Sequence, residues 1–328
     1  MRDEGGYCLR AYLPALKGRG FTRNLMNNGK RTIEASSLRA FFDDQIDHLQ
    51  KLVDNLSEHI HIKEQQAQED RQIIESFVDA SNSKMRAIDD YAVRLRGYVK
   101  ALYNHILQVA EEIPPPIDLN LETLRTDPLV NALFVCSKDI DQLLKNDPDV
   151  NAYLRVHNKD KTPVIYAMLT ANKHEKLTLG VGLLGDMLIR DLPQQVINFS
   201  SHKVHAPCTS NEELSTALKK FLFDRTVALV KQEMTSRMTS SPFKASDDFY
   251  ESRIKSLANP NVYLNTLIEY IENPANLLSI EKNHLKLNKL GIKIDSDDDI
   301  QNTNEFDIYE LTWGDSTQNV ILQIFYSS

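Results

Sequence analysis

The sequence predicts an α+β protein: a long N-terminal helical hairpin or coiled coil, followed by a mixed body with antiparallel strands and packed helices. Three observations predict it. Between Ser37 and Glu112, apolar residues recur at alternating steps of four and three. No glycine or proline falls between Arg31 and Arg96, so no backbone breaker ends a helix there. Beyond Pro114-Pro115-Pro116 the apolar period shortens to two in several stretches, which is the spacing of strands.

The heptad walk starts at Phe42 and passes through Ile46, Leu49, Val53, Leu56 and Ile60. It resumes at Ile74 and Phe77, then at Ile88, Tyr91, Leu95, Tyr98 and Leu102, and reaches Val109. The seam is polar in the middle, at Lys63, Asp70, Ser81 and Lys84. A single helix over this span would be roughly 110 Å long at the usual rise and unstable without a partner. A hairpin is favoured, turning at Asp79-Ala80-Ser81-Asn82-Ser83, whose side chains compete for backbone bonds. Either shape leaves an apolar stripe to bury. The expected interface is Phe42, Ile46, Leu49, Val53, Leu56, Ile60, Ile88, Tyr91, Leu95 and Leu102.

After the prolines, Thr126-Asp127-Pro128 reads as a helix start and Asn146-Asp147-Pro148 as a stop, with one more short helix to Val156. Val164 to Leu169 reads as a strand, Asn172 to Glu175 as a polar turn, and Leu177 to Leu183 as the second strand of a hairpin. Gln195 to Phe199 is a third strand. Ser210 and Glu213 form a capping box for a helix reaching about Met234. Asp247 to Leu257 and Pro260 to Glu272 read as two helices. Leu285 to Ile294 alternates with a slip at Leu290-Gly291 that suggests a bulge, and Ile308 to Trp313 with Val320 to Phe325 makes a final hairpin.

These readings divide the 328 residues into a basic extension, 1–31, expected to be disordered; the arm, 32–113; an α+β domain, 117–240; and a helical pair with C-terminal strands, 246–328, in the same body or beside it. Met26 is an alternative start. A net charge of -8 argues against generic binding to nucleic acid or anionic membrane. Three scattered cysteines fit a reducing, cytoplasmic compartment, and no apolar run is long enough to span a membrane.

Several motifs carry residue types capable of chemistry. Gly180-Val181-Gly182-Leu183-Leu184-Gly185 spells a dinucleotide fingerprint, yet strand alternation runs through it and Pro193 follows too soon for the required helix. His202, His205 and Cys208 place three metal-ligating residues in one predicted loop. Glu58 and His61 share a helix face as in di-iron bundles, while Glu281 and His284, at the same spacing, fall in a strand-like context. Asp295 to Asp299 begins like a calcium loop but lacks the glycine and the final glutamate. The expectation is therefore a non-enzymatic interaction or regulatory protein with no cofactor, assembling through its arm with itself or another helical protein. Two alternatives stand beside it: a metal-dependent enzyme or metal sensor using the His202/His205/Cys208 loop, and a small-molecule sensor signalling through the arm.

Overall fold

The computed structural model describes residues 63–157, 164–184, 187–239, 259–294, 303–315 and 319–327. The seam from Phe42 to Ile60, the basic extension, the Glu58/His61 pair, the helix expected at Asp247 to Leu257 and the Asp295 to Asp299 run lie outside the described residues. Residues Glu64–Ser328 form one compact unit, and the boundary before it falls at Lys63.

Helix α1 (63–81) ends where Ser81 turns its hydroxyl back to the Phe77 carbonyl. The Asn82 side chain then caps a 3-10 turn, Ser83–Ala87. Helix α2 (Tyr91–Glu112) runs back along α1. Lys100 pairs with Asp70 at 3.0 Å, and Glu75 accepts from Arg86 and Tyr91.

Helix α2 is a core helix. Leu95, Val99, Leu102 and Ile106 are fully buried against helix α7 (Asn211–Thr239) and helix α8 (Pro260–Ile271). The seam residues Ile88, Leu95 and Leu102 are thus used inside the chain, and Tyr91 packs half-buried beside them. Four-three periodicity reports a buried helix face but not which surface buries it.

The prolines end α2 without opening a linker. They lack donors but keep their carbonyls, and Gln323 donates to the carbonyls of Ile113 and Pro114. The chain then enters the sheet at once, with β1 (Ile117–Asp118) parallel to β6 (Asn319–Ser327). Four short helices follow: α3 (Leu121–Thr126), α4 (Pro128–Leu133), α5 (Ser137–Asn146) and α6 (Pro148–His157). Asp127 and Asp147 each precede a proline and cap the next helix through the side chain.

Strand β2 (Val164–Leu184) is antiparallel to β3 (Met187–Cys208). The polar residues Asn172 to Glu175, expected as a turn, lie mid-strand in β2, and the segment His202 to Cys208, expected as a loop, is strand. Three register shifts interrupt the pair. Each falls beside a left-handed, non-glycine residue on β3: Asp191, Ser201 and Ala206. These are bulges, which bend the strand and re-aim its side chains.

The sheet order is β3-β2-β6-β5-β4, with β4 at Ser279–Asn288 and β5 at Thr303–Thr312. After β4, Gly291 (φ 74°) closes a tight turn with its N–H on the Asn288 carbonyl. Residues 292–293 then pair with both Leu287 of β4 and Val196 of β3. The Leu290-Gly291 slip is therefore a turn rather than a bulge, and it joins the two edges of the sheet. One sheet face packs on α1, α2, α7 and α8, and the other on α3 to α6. No described helix is long and apolar enough to cross a membrane.

Candidate functional site

Strand geometry decides where the predicted metal ligands go. Residues three apart on a strand point to opposite faces. His202 accordingly stacks on Phe134 of the short-helix layer, with ring centroids 4.9 Å apart. His205 bonds the Thr170 hydroxyl at 3.0 Å and leans on Phe221 of α7. The Ala206 bulge keeps Cys208 on the His205 side, where its thiol donates to the Tyr166 carbonyl. Burial pushes that thiol up to about 11, away from the thiolate a metal takes. Among the described residues, no group of three His, Cys, Asp or Glu is placed to hold a metal.

The remaining motifs resolve as local structure. Gly180 lies in β2 opposite Leu192, with the Gln194 side chain against its Cα, and strand β3 rather than a helix follows. His284 bonds Asp307 on the exposed side of β4, whereas Glu281 pairs across the ladder with Glu310.

Three features stand out. The first is a projecting ribbon. Strand β6 covers β2 only as far as Asn172, so residues 173–184 continue with β3 alone as neighbour among the described strands. Leu177, Leu179 and Val181 alternate along it and are 73%, 66% and 55% exposed, and Met187 on the return strand is 72% exposed.

The second is a buried ion pair. Lys173 Nζ lies 2.7 Å from Oε2 of Glu310, whose side chain is wholly buried. Asn283 donates to the same oxygen, and Lys173 also reaches Glu175 at 3.0 Å. Oε1 of Glu310 has no hydrogen-bond partner among the described residues. Burial pulls the Lys173 ammonium down, but its bonds to Glu310 and Glu175 outweigh this and hold it above the usual lysine range. Sequence reading missed this pair. The available signal was a lone acid at the inward register of the apolar strand Ile308 to Trp313.

The third is a cleft of about 600 Å³ between α4 to α6 and β3. Its walls include Phe134, Asp139, Asp147, Phe199, His202 and Lys203. Burial holds His202 below the ordinary histidine range, against the opposing pulls of Asp139 and main-chain Leu133.

Comparison of the chain with protein-family models, with curated proteins and with solved structures finds no match.

Proposed function

We propose that this chain is a non-enzymatic cytoplasmic interaction protein that assembles with a second copy of itself. The observation that carries the reading is the exposed apolar row Leu177, Leu179 and Val181 on a ribbon projecting past the sheet. Such a row in water is unfavourable and marks a surface meant to be covered. The ribbon also has an open edge of main-chain donors and acceptors. An identical strand satisfies that edge under two-fold symmetry, which is the commonest arrangement of assemblies.

Area argues for a second contributing surface. Twelve residues of a two-stranded ribbon offer roughly 400 Å² per copy, from a ~3.3 Å rise and ~4.8 Å strand spacing. A standard stable interface takes about 800 Å² per partner. The amphipathic stripe Phe42 to Ile60 would supply the remainder, since its partner half in α2 is already used inside the body.

Molar mass in solution tests the proposal. The full chain is expected to run as a dimer or higher oligomer. The Leu177→Lys/Leu179→Lys variant and the Leu49→Lys/Leu56→Lys variant are each expected to dissociate it while keeping the circular dichroism of the folded chain. A monomeric wild type at micromolar concentration refutes self-assembly and leaves another helical protein as the partner.

A further inference from the structure

Given self-assembly through the ribbon, on which this step rests, we infer that two copies join edge to edge along β2, antiparallel, with Leu179 on the two-fold axis. This fixes which edge the second copy takes and in which register.

Hydrogen bonds on the far side of the ribbon identify the free edge. The Lys293 N–H donates to the Gln195 carbonyl, and the Ile197 N–H donates to the Gly291 carbonyl. Gln195 and Ile197 therefore turn their main-chain groups away from β2. Successive residues of an antiparallel ladder alternate in this respect, so Gln194 and Val196 turn toward β2, where they face Thr178 and Lys176. Glu175, Leu177 and Leu179 then carry their N–H and C=O on the other side of β2. Pro193, opposite Leu179, agrees with this parity, since a proline fits where the ladder needs no donor. Strand β6 takes that side of β2 only up to Asn172, and no described strand lies beside the residues that follow. Leu177 and Leu179 are 73% and 66% exposed there.

Steric limits set the register. A two-fold axis normal to the sheet pairs the strands antiparallel about one position, and main-chain alternation requires that position to be a residue. A centre at 178 or earlier brings the second copy's strand, which runs to Leu184, alongside Asn172, where Asn319 of β6 already sits. A centre at 180 or later leaves Glu175 facing the turn beyond Leu184 of the second copy. Leu179 is the centre that clears β6 and still pairs Glu175, Leu177 and Leu179.

Side chains favour the same register. Residues directly opposite on antiparallel strands share a face and touch. Leu177 meets Val181 of the second copy and Leu179 meets Leu179, so the exposed apolar row covers itself. Lys176 falls opposite Gly182 and Thr178 opposite Gly180, so no like charges meet. Centres at 175 or 176 would instead set Glu175 or Lys176 against its own copy, which is unfavourable.

The test uses the full chain carrying Cys8→Ser and Cys136→Ser, so that an added thiol reports. Leu179→Cys brings two thiols to a Cα separation of about 5.5 Å, inside the range a disulfide spans. Leu177→Cys leaves its two copies ~14 Å apart at ~3.3 Å rise per residue, outside that range. Mass in solution is measured first, then disulfide crosslinking under mild oxidant on a non-reducing gel. Leu179→Cys is expected to crosslink roughly tenfold faster than Leu177→Cys. Leu177→Cys mixed and equilibrated with Val181→Cys is expected to crosslink where neither does alone, and this pair carries the test if Leu179→Cys loosens the assembly. A monomeric wild type removes the assembly reading and this register with it. An assembled wild type overturns the register alone, and leaves assembly through another surface, if Leu177→Cys crosslinks as fast as Leu179→Cys, or if neither Leu179→Cys nor the mixed pair crosslinks.

Discussion

Replacing Lys173 with Met leaves Glu310 as a wholly buried carboxylate whose one remaining donor among the described residues is Asn283. Breaking a buried ion pair from one side costs about 3–5 kcal/mol, because the surviving charge is left uncompensated. The Lys173 side chain is 13% exposed and Glu310 is 0% exposed, so solvent does little to soften the loss. The reverse change is milder. In Glu310→Gln, Lys173 keeps Glu175 at 3.0 Å and reaches partial exposure, and the expected cost is about 1–2 kcal/mol, that of altered hydrogen bonds. The double variant Lys173→Met/Glu310→Gln removes both charges and should be more stable than Lys173→Met alone. Urea denaturation at neutral pH measures all three. A Lys173→Met variant within ~0.5 kcal/mol of wild type, or a double variant less stable than that single one, refutes the claim that the pair is desolvated.

Three further outcomes follow from the geometry. Gly291→Ala puts a Cβ 2.6 Å from the Ile197 carbonyl at a positive φ, so it should destabilise by about 1–3 kcal/mol and raise hydrogen exchange at the Ile197 and Lys293 amides that close the sheet. Burial holds His202 and His205 below the ordinary value, opposed by Asp139 at the first and by Asp149 and Asp147 at the second, while Arg225 and Lys203 act with burial at His205. The unfolded chain therefore binds more protons, so their contribution is full above ~6.5 and declines as pH falls through that value toward the lower folded pKa. Urea midpoints should drop between about pH 7.5 and about pH 5.5, and drop less in His202→Phe; an equal drop in both contradicts the assignment. Cys136 is exposed, whereas Cys208 is partly buried with its thiol pushed up to about 11. A thiol reagent at neutral pH should label Cys136 well before Cys208, with mass spectrometry of the fragments as the readout.

Much of the chain was legible because its signals are local. Pro260 begins α8 as read, and the Ser210 hydroxyl accepts from the Glu213 N–H, while the Glu213 carboxylate binds Thr209 rather than completing the box. The final hairpin also stands where alternation placed it. What was misread depends on distant partners. Asn172 to Glu175 looks like a turn because it is polar, yet Lys173 is matched by Glu310, 137 residues away. The phase slip at Leu290-Gly291 gives no hint that Gly291 accepts from Ile197 across the sheet. The His202, His205 and Cys208 spacing suggested convergence on the premise of a loop. A strand with a bulge at Ala206 separates His202 from the other two.

In the proposed assembly the exposed ribbon and the N-terminal stripe are covered by a second copy. Sedimentation equilibrium of the full chain, beside the Leu177→Lys/Leu179→Lys variant, measures this most directly. At least twice the 37.5 kDa chain mass is expected for wild type, and a folded species near 37.5 kDa for the variant. A wild type that stays at 37.5 kDa with these leucines in water contradicts it.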